Sequence, residues 1–496
     1  MQRVTIDPLT RVEGRGRVEL FLEESGELAE AYFVVPELRG FEQLCIGRPV
    51  EELPSLTARI CGLCPEAHHM ASVKALDVLF GVEPPPAARA IRELLYCSFV
   101  AADHVTHFFA LAGPDFLLPR DTPADQRNLL GVYHALGPSM ARRVVRSRVD
   151  NHELIQLLGG RSIHLVGGLP GGWSRPIEEA ERSRIETVAR ANVELATDCL
   201  RLYIDHAHEQ LDDDGLYSAQ GLSFEVHSMG TVDRRTGRLA LFDGTLRVVD
   251  PAGAELLCFP PENYRDHLDE RVEPYTYLKL PYLKEKGWHG LTDGDASGVF
   301  AVGPLARLNA CAGVGTPLAQ KAYTELYTRL SEPAPDGGFR PIHNRLVNHW
   351  ARLVEQLYAA ERMLELASAP ELTDSEVRAP VPKHPVVHDA VGCIEAPRGT
   401  LLHDYRVDDR GLVTGVNLIV GTTHNHAAIA MSVTGAARHL LTPGVAITET
   451  LLNRIEVAIR AHDPCLACAT HTFPGGMPLE VVVRNASGEP IMTLRR

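Results

Sequence analysis

Cysteine is scarce in this chain, positive charge is outnumbered and long apolar runs are missing. Ten cysteines in 496 residues are far too few for a disulfide scaffold, so in a reducing compartment they are core thiols, metal ligands or nucleophiles. Lys and Arg number 49 against 64 Asp and Glu, a net charge of −15, which disfavours nucleic acid or an anionic membrane as the main partner. No window approaches the roughly 18 uninterrupted apolar residues of a membrane span. The opening Met1-Gln2-Arg3-Val4-Thr5-Ile6-Asp7 lacks the apolar core of a signal peptide. The expectation is a cytoplasmic protein with no membrane span, although a chain without its own signal can be exported on a partner that carries one.

A hydrophobic fraction of 45% excludes disorder, and at roughly 150 residues per domain the chain holds about three domains' worth of packed material. Residues 16–23 alternate polar and apolar, Glu24-Ser25-Gly26 supplies a turn and Ala31–Val35 resumes the extended pattern, a β-hairpin within about 1–40. Pro65 suits a first helical position, and Met70, Val73, Leu76 and Leu79 follow at helical spacing. Segments near 87–112, 123–135, 139–158, 176–212 and 341–368 are helical by period. Between about 222 and 303, turns and β-branched residues predict a small inserted sheet or ribbon. The prolines of 370–388 mark a surface crossing, a second β-rich stretch covers 400–420, and a helix is expected near 447–461. The fold class is α+β and mainly helical, a long-helix bundle with small peripheral β-sheets.

Six cysteines, Cys45, Cys97, Cys199, Cys258, Cys311 and Cys393, stand alone in mostly apolar surroundings and read as buried small hydrophobes. The other four form two pairs, Cys61/Cys64 and Cys465/Cys468, each followed by a histidine, His68 and His471. Each pair sets two sulfurs on one tight turn, so that two thiolates can reach one metal. Together they suggest a four-thiolate site closed by distant parts of the chain. Zinc, an iron–sulfur cluster or another thiophilic metal would suit it, and spacing does not choose among them. His104/His107 and His424/His426 read as buried or interface histidines rather than a second metal site.

The residues around these pairs carry a resemblance. Leu9-Thr10-Arg11-Val12-Glu13-Gly14, Leu38-Arg39-Gly40-Phe41-Glu42, Arg59-Ile60-Cys61-Gly62-Leu63-Cys64 with His68, Glu395-Ala396-Pro397-Arg398-Gly399, and Asp463-Pro464-Cys465 through His471 occur in the order of nickel-iron hydrogenase large subunits. The chain most resembles the soluble multi-subunit enzymes of that family, of the NAD-reducing and the viologen- or heterodisulfide-reductase-linked types. The resemblance implies that Cys61 and Cys465 are terminal ligands of nickel. Cys64 and Cys468 then bridge it to an iron carrying carbon monoxide and cyanide. Such a site needs a nearby base to take a proton, with Cys465 as first acceptor and Glu13 as relay. Arg398 would lie over the open face, oriented by Asp115. His68 would hydrogen-bond a bridging sulfur and Thr422 a cyanide. Glu42, the Leu418 carbonyl and His471 would hold magnesium or a similar hard cation.

Two residues depart from the family pattern: Leu165 stands where many relatives carry proline, and Gly421 where membrane-bound relatives do. The implied activity is reversible heterolysis of H2, with electrons passed to an iron–sulfur small subunit, then on through a flavin/NAD diaphorase or another electron-transfer module. A regulatory H2-sensing subunit is the alternative, as is delivery to heterodisulfide reductase or ferredoxin. Residues 1–471 would form one large-subunit domain. Residues 472–496 would be a C-terminal extension removed by a maturation endopeptidase once nickel-insertion proteins have loaded the site, or else a strand kept for packing, since Leu479–Val483 favours β structure.

Overall fold

The computed structural model describes residues 2–119, 121–207, 220–334, 338–471, 480–485 and 490–495. The N-terminal alternation builds a three-stranded antiparallel sheet of β1 (Gln2–Ile6), β2 (Arg17–Leu22) and β3 (Leu28–Val34), so the expected hairpin gains β1 at its edge. Val18, Leu20 and Leu22 turn to its buried face.

Helix α1 (Pro65–Leu79) opens directly after Cys64, with proline where a missing N–H costs nothing. Helix α2 (Pro86–Thr106) runs on through a π-helical turn at His107–Leu111. The span 86–111 is long and apolar enough to cross a membrane by length and composition, but it is largely buried in the protein core. Helix α3 (Leu129–Gly159) is capped by Asn128, whose side-chain oxygen accepts from the N–H groups of Leu130 and Gly131, and it breaks at Gly137 (φ 81°) ahead of Pro138. The two expected segments are thus one interrupted helix, and residues 123–128 form the turn before it. Helix α4 (Glu179–Leu202) starts at a capping box between Glu178 and Glu181 and ends in a π-helical turn over Tyr203–Ala207. Residues 208–212 of the expected helix lie outside the described residues.

The β-rich stretch holds β4 (His227–Val232), β5 (Thr245–Val249), β6 (Glu255–Phe259), β7 (Leu268–Arg271), β8 (Leu280–Leu283) and β9 (Phe300–Ala301). They form a sheet in the order β9-β4-β5-β6 and a separate β7–β8 pair. Cys258 lies on edge strand β6 and is exposed, against expectation, because one face of that edge meets solvent; the other five lone cysteines are buried. Helices α5 (Pro304–Ala310) and α6 (Pro317–Leu330) follow. Helix α7 (Asn348–Ala367) begins later than the period suggested, after a 3-10 turn at Arg345–Val347. An antiparallel sheet of β10 (Asp389–Ala396), β11 (Gly399–Val407) and β12 (Val413–Ile419) leads to α8 (His426–Leu440) and α9 (Glu449–Ala461). A last hairpin pairs β13 (Glu480–Arg484) with β14 (Pro490–Arg495).

Helix α7 is the axis of the body, packed against α2, α4 and α6, while α1 lies across β10 and β11 and α8 packs against β3 and α9. Four loops therefore meet at the centre: the β1–β2 connection with Glu13, the entry to α1, the β10–β11 turn with Arg398, and the segment after α9.

Candidate metal centre

The sequence places Cys61 and Cys64 ahead of α1 and Cys465 and Cys468 after α9, and the fold brings all four together. Their sulfurs lie within 4.8 Å of one another and all four residues are buried. Cys61 meets Cys465 at 3.3 Å, Cys64 meets Cys468 at 3.3 Å, and Cys465 and Cys468 are 2.7 Å apart. The Cys61 sulfur also accepts the backbone N–H groups of Leu63 and Cys64, each at 3.2 Å. Four sulfurs sharing one dry site cannot all ionise without a cation. Against the cost of burial, S–H donors from Cys465, Cys468 and Cys64 and the charge of Arg398 pull Cys61 well below the usual thiol range. Burial first, then the neighbouring sulfurs, push Cys465 well above it. Bound by all four as thiolates, a soft metal ion would resolve this conflict.

Glu13 stands against this cluster. Its Oε2 accepts from Cys465 Sγ at 3.0 Å and from the Ala467 N–H at 3.2 Å, while its backbone carbonyl accepts the Leu466 N–H at 2.9 Å. The two segments run side by side in a parallel bridge. Gly14 (φ 81°) permits the approach, since a Cβ there would come within 2.5 Å of the Ala467 nitrogen. Burial, then the nearby Cys61 sulfur, raises the Glu13 carboxyl above its ordinary value. Thr422 Oγ1 accepts the Cys465 N–H at 2.9 Å and so fixes the backbone of the same loop.

Arg398 is buried and carries its charge between two carboxylates: Nη1 meets Asp103 Oδ1 at 2.9 Å and Nη2 meets Asp463 at 3.2 Å. Burial works against this cation, and Asp103 and Asp463 more than offset it.

The family described as nickel-dependent hydrogenase matches residues 39–128 and 261–471, and a HoxL-like family matches 3–38. Among curated relatives, the iron-sulfur subunit of an F420-non-reducing hydrogenase from Archaeoglobus profundus is 41% identical over 100% of both chains. The NAD-reducing hydrogenase HoxS subunit beta of Cupriavidus necator is 36% identical over 99% of both. A crystal structure of an NAD+-reducing [NiFe]-hydrogenase in the H2-reduced state superposes with a TM-score of 0.86 at 39% identity, covering 95% of this chain and 100% of that one. The chain belongs to the nickel-dependent hydrogenase large-subunit family. Structures of [NiFeSe] hydrogenases at 22% identity and a TM-score of 0.69 share the fold.

Within this hydrogenase fold the remaining expected residues divide. Asp115 does not orient Arg398. It is bound by Arg11 at 2.5 Å and by Arg460 at 2.6 Å, and the carboxylates that hold Arg398 are Asp103 of α2 and Asp463. His68 directs Nδ1 to His403 at 3.0 Å rather than bonding a bridging sulfur, and burial lowers its pKa to about 4, so the ring is neutral. Glu42 accepts the backbone N–H of Leu418 at 2.9 Å. The turn that carries it lies along the end of the hydrogenase core, with Arg39 N–H donating to the Thr470 carbonyl at 3.0 Å and the Phe41 ring against that of His471. Burial raises Glu42 to about 7 even with Lys279 near it. His104, His107, His424 and His426 are buried, and among the described residues only the four cysteines gather as a side-chain metal-ligand group. Gly421 packs on the Arg398–Gly399 backbone, where a Cβ would lie 2.6 Å from the Gly399 nitrogen, which accounts for one departure from the family pattern.

Two residues of the centre escaped the sequence reading. Asp103 carried a signal in being an acid within the apolar run Phe99–Val105, where a buried carboxylate requires a cationic partner. Asp463 stood at the head of the second cysteine motif without a role assigned to it.

Proposed function

We propose that this chain is the catalytic subunit of a nickel-iron hydrogenase that oxidises H2 reversibly to two protons and two electrons and passes the electrons to an iron–sulfur partner subunit, with NAD+ as final acceptor. The observation that carries this reading is the buried set of four sulfurs with the Glu13 carboxylate 3.0 Å from Cys465 Sγ. The donor set fits the centre: Cys61 and Cys465 would hold nickel terminally, and Cys64 and Cys468 would bridge it to an iron bearing carbon monoxide and cyanide. Bound there, the two metals supply the redox chemistry and polarise H2.

The chain's own groups handle the proton and the charge. Cys465 Sγ is the first proton acceptor and Glu13 the second; the Ala467 N–H aims the carboxylate, and burial, then the Cys61 sulfur, raises its proton affinity above the ordinary carboxylate value. Arg398, charge-balanced by Asp103 and Asp463, keeps a fixed cation over the cluster at no cost of reorganisation. Glu42, the Leu418 carbonyl and His471 would bind magnesium, whose charge would return Glu42 to its ionised form.

Both curated relatives are named as subunits. A partner surface is supported by a narrow cleft beside the first cysteine pair, lined by Gly62, Leu63, Arg148, His152 and Ile163, of which Ile163 is exposed. Residues 472–496 would be removed on maturation. In support, His471 is buried while Ile491 and Met492 of β14 are 65% and 47% exposed. Residues 472–479 and 486–489 lie outside the described residues. Intact mass of active enzyme checks the cleavage, and a chain still ending at Arg496 refutes it.

An infrared spectrum of the purified complex tests the reading, in the window where metal-bound carbon monoxide and cyanide absorb. Bands there support the nickel-iron centre, whereas a blank spectrum with one zinc per chain refutes it. Reduction of NAD+ by H2, compared with reduction of a viologen, then tests the acceptor.

A further inference from the structure

Asp115 touches none of the four sulfurs, yet it is a buried carboxylate shared by two arginines. Its Oδ1 accepts from Arg11 Nη2 at 2.5 Å and from Arg460 Nη2 at 3.1 Å, and its Oδ2 from Arg460 Nε at 2.6 Å. Burial alone would push this carboxyl up, and Arg460 and Arg11 together hold it below the usual carboxylate range. Asn453 Oδ1 accepts from both guanidinium groups, at 3.1 and 2.8 Å, and Glu456 binds the Thr10 N–H at 2.6 Å.

The placement of the two arginines gives the cluster its meaning. Arg11 lies two residues before Glu13, and Arg460 five residues before Cys465. Arg11 holds a left-handed backbone (φ 55°) that a non-glycine residue adopts only when its surroundings impose it. Its guanidinium is also fixed by the Leu111 carbonyl at 2.9 Å. Two segments from opposite ends of the sequence are therefore pinned on one carboxylate, and beyond the pin their tips are the Glu13 carboxylate and the Cys465 sulfur. Stability is a weak reason for such an arrangement, since buried ion clusters are often replaceable by apolar residues without loss. A fixed register between the segments is what this geometry supplies.

We infer that Asp115 is a positioning residue for H2 cleavage, setting the register of Thr10–Gly14 against Arg460–Ala467 so that the Glu13 carboxylate meets Cys465 Sγ. Its catalytic consequence rests on the hydrogenase reading; the register itself does not. The test is amide hydrogen–deuterium exchange of the purified complex, read by mass spectrometry over Leu466 and Ala467, whose N–H groups are bonded to Glu13, alongside steady-state kinetics and metal content. In Asp115→Asn, exchange at these two amides rises about tenfold. Turnover falls about tenfold or more at unchanged KM for H2 and unchanged nickel and iron per chain, and Asp115→Glu recovers part of both. Unchanged exchange, or a loss of turnover wholly matched by lost metal, overturns the inference. Should the Asn variant fail to fold, Arg11→Lys decides, because it keeps the charge and loses the fork: a rise at the same amides supports the pin, and no rise overturns it. Raised exchange in a complex whose parent shows no H2 chemistry sinks the hydrogenase reading and leaves the register standing.

Discussion

Glu13 makes three contacts with the Cys465–Ala467 segment, and its chemistry separates from its shape. Glu13→Gln keeps an oxygen for the Ala467 N–H but cannot accept a proton, so H2 oxidation is expected to fall by about a hundredfold or more while nickel content and infrared bands stay as in the parent. Activity retained at the parent level would remove Glu13 from the proton path. Arg398 invites the opposite experiment, on stability. Arg398→Met leaves the Asp103 and Asp463 carboxylates buried without their shared cation, at a cost of about 3–5 kcal/mol. Chemical denaturation should show that loss, and a further Asp103→Asn change should return part of it. The cysteines were readable because two sulfurs three residues apart already define half a site. The partner of Arg398 was not, because pairing across 295 residues leaves no trace in local pattern. Asp115 was a wrong choice of acid, and the buried Asp103 was the right one.

At the scale of elements, the site depends on how β10 lies on α1. Gly392 faces the helix so closely that a Cβ would come within 1.8 Å of the Ala71 carbonyl oxygen and 2.7 Å of the Ala75 nitrogen. Both obstacles are backbone, so Gly392→Ala must push strand and helix apart, a change worth about 1–3 kcal/mol. Because α1 begins directly after Cys64, the variant is expected to melt earlier and to carry less nickel per chain. Parent-like melting and metal content would show that the contact yields. Helices with one buried face, such as α4, announce themselves by period. Helix α8 reads His-Ala-Ala-Ile-Ala-Met-Ser-Val-Thr-Gly-Ala-Ala-Arg-His-Leu; it is apolar on nearly every side because it is buried on nearly every side, and the period vanishes. Helix α6 buries Ala319, Ala322, Tyr323, Leu326 and Tyr327 at helical spacing, but its alanines weaken the signal.

The whole molecule stores neutral histidines in its core. Gly168 N–H donates to His69 Nε2 at 3.1 Å, while Nδ1 faces the Pro54 carbonyl, and the rings of His424 and His426 face the carbonyls of Thr400 and Lys279. Burial lowers all three to about 4, against roughly 6.5 in an unfolded chain. Between those values the unfolded chain binds more protons, so stability is complete above about pH 6.5 and drains away as pH falls toward 4. At pH 5 each histidine removes roughly 2 kcal/mol. Melting temperature should therefore drop steeply from pH 7.5 to 5, and less steeply in His426→Gln; a flat profile would contradict the burial. The pairing of Cys61 with Cys465 and of Cys64 with Cys468 spans 404 residues each time. A ribosome adding about 5–20 residues per second needs roughly 20–80 s to cover that distance. Throughout that interval the nascent chain exposes only two of its four metal-binding thiols, so no ion can be locked into the full cage before almost all of the protein has emerged. The order of synthesis thus makes closure of the four-sulfur cage a late event, however early the first pair of thiols emerges.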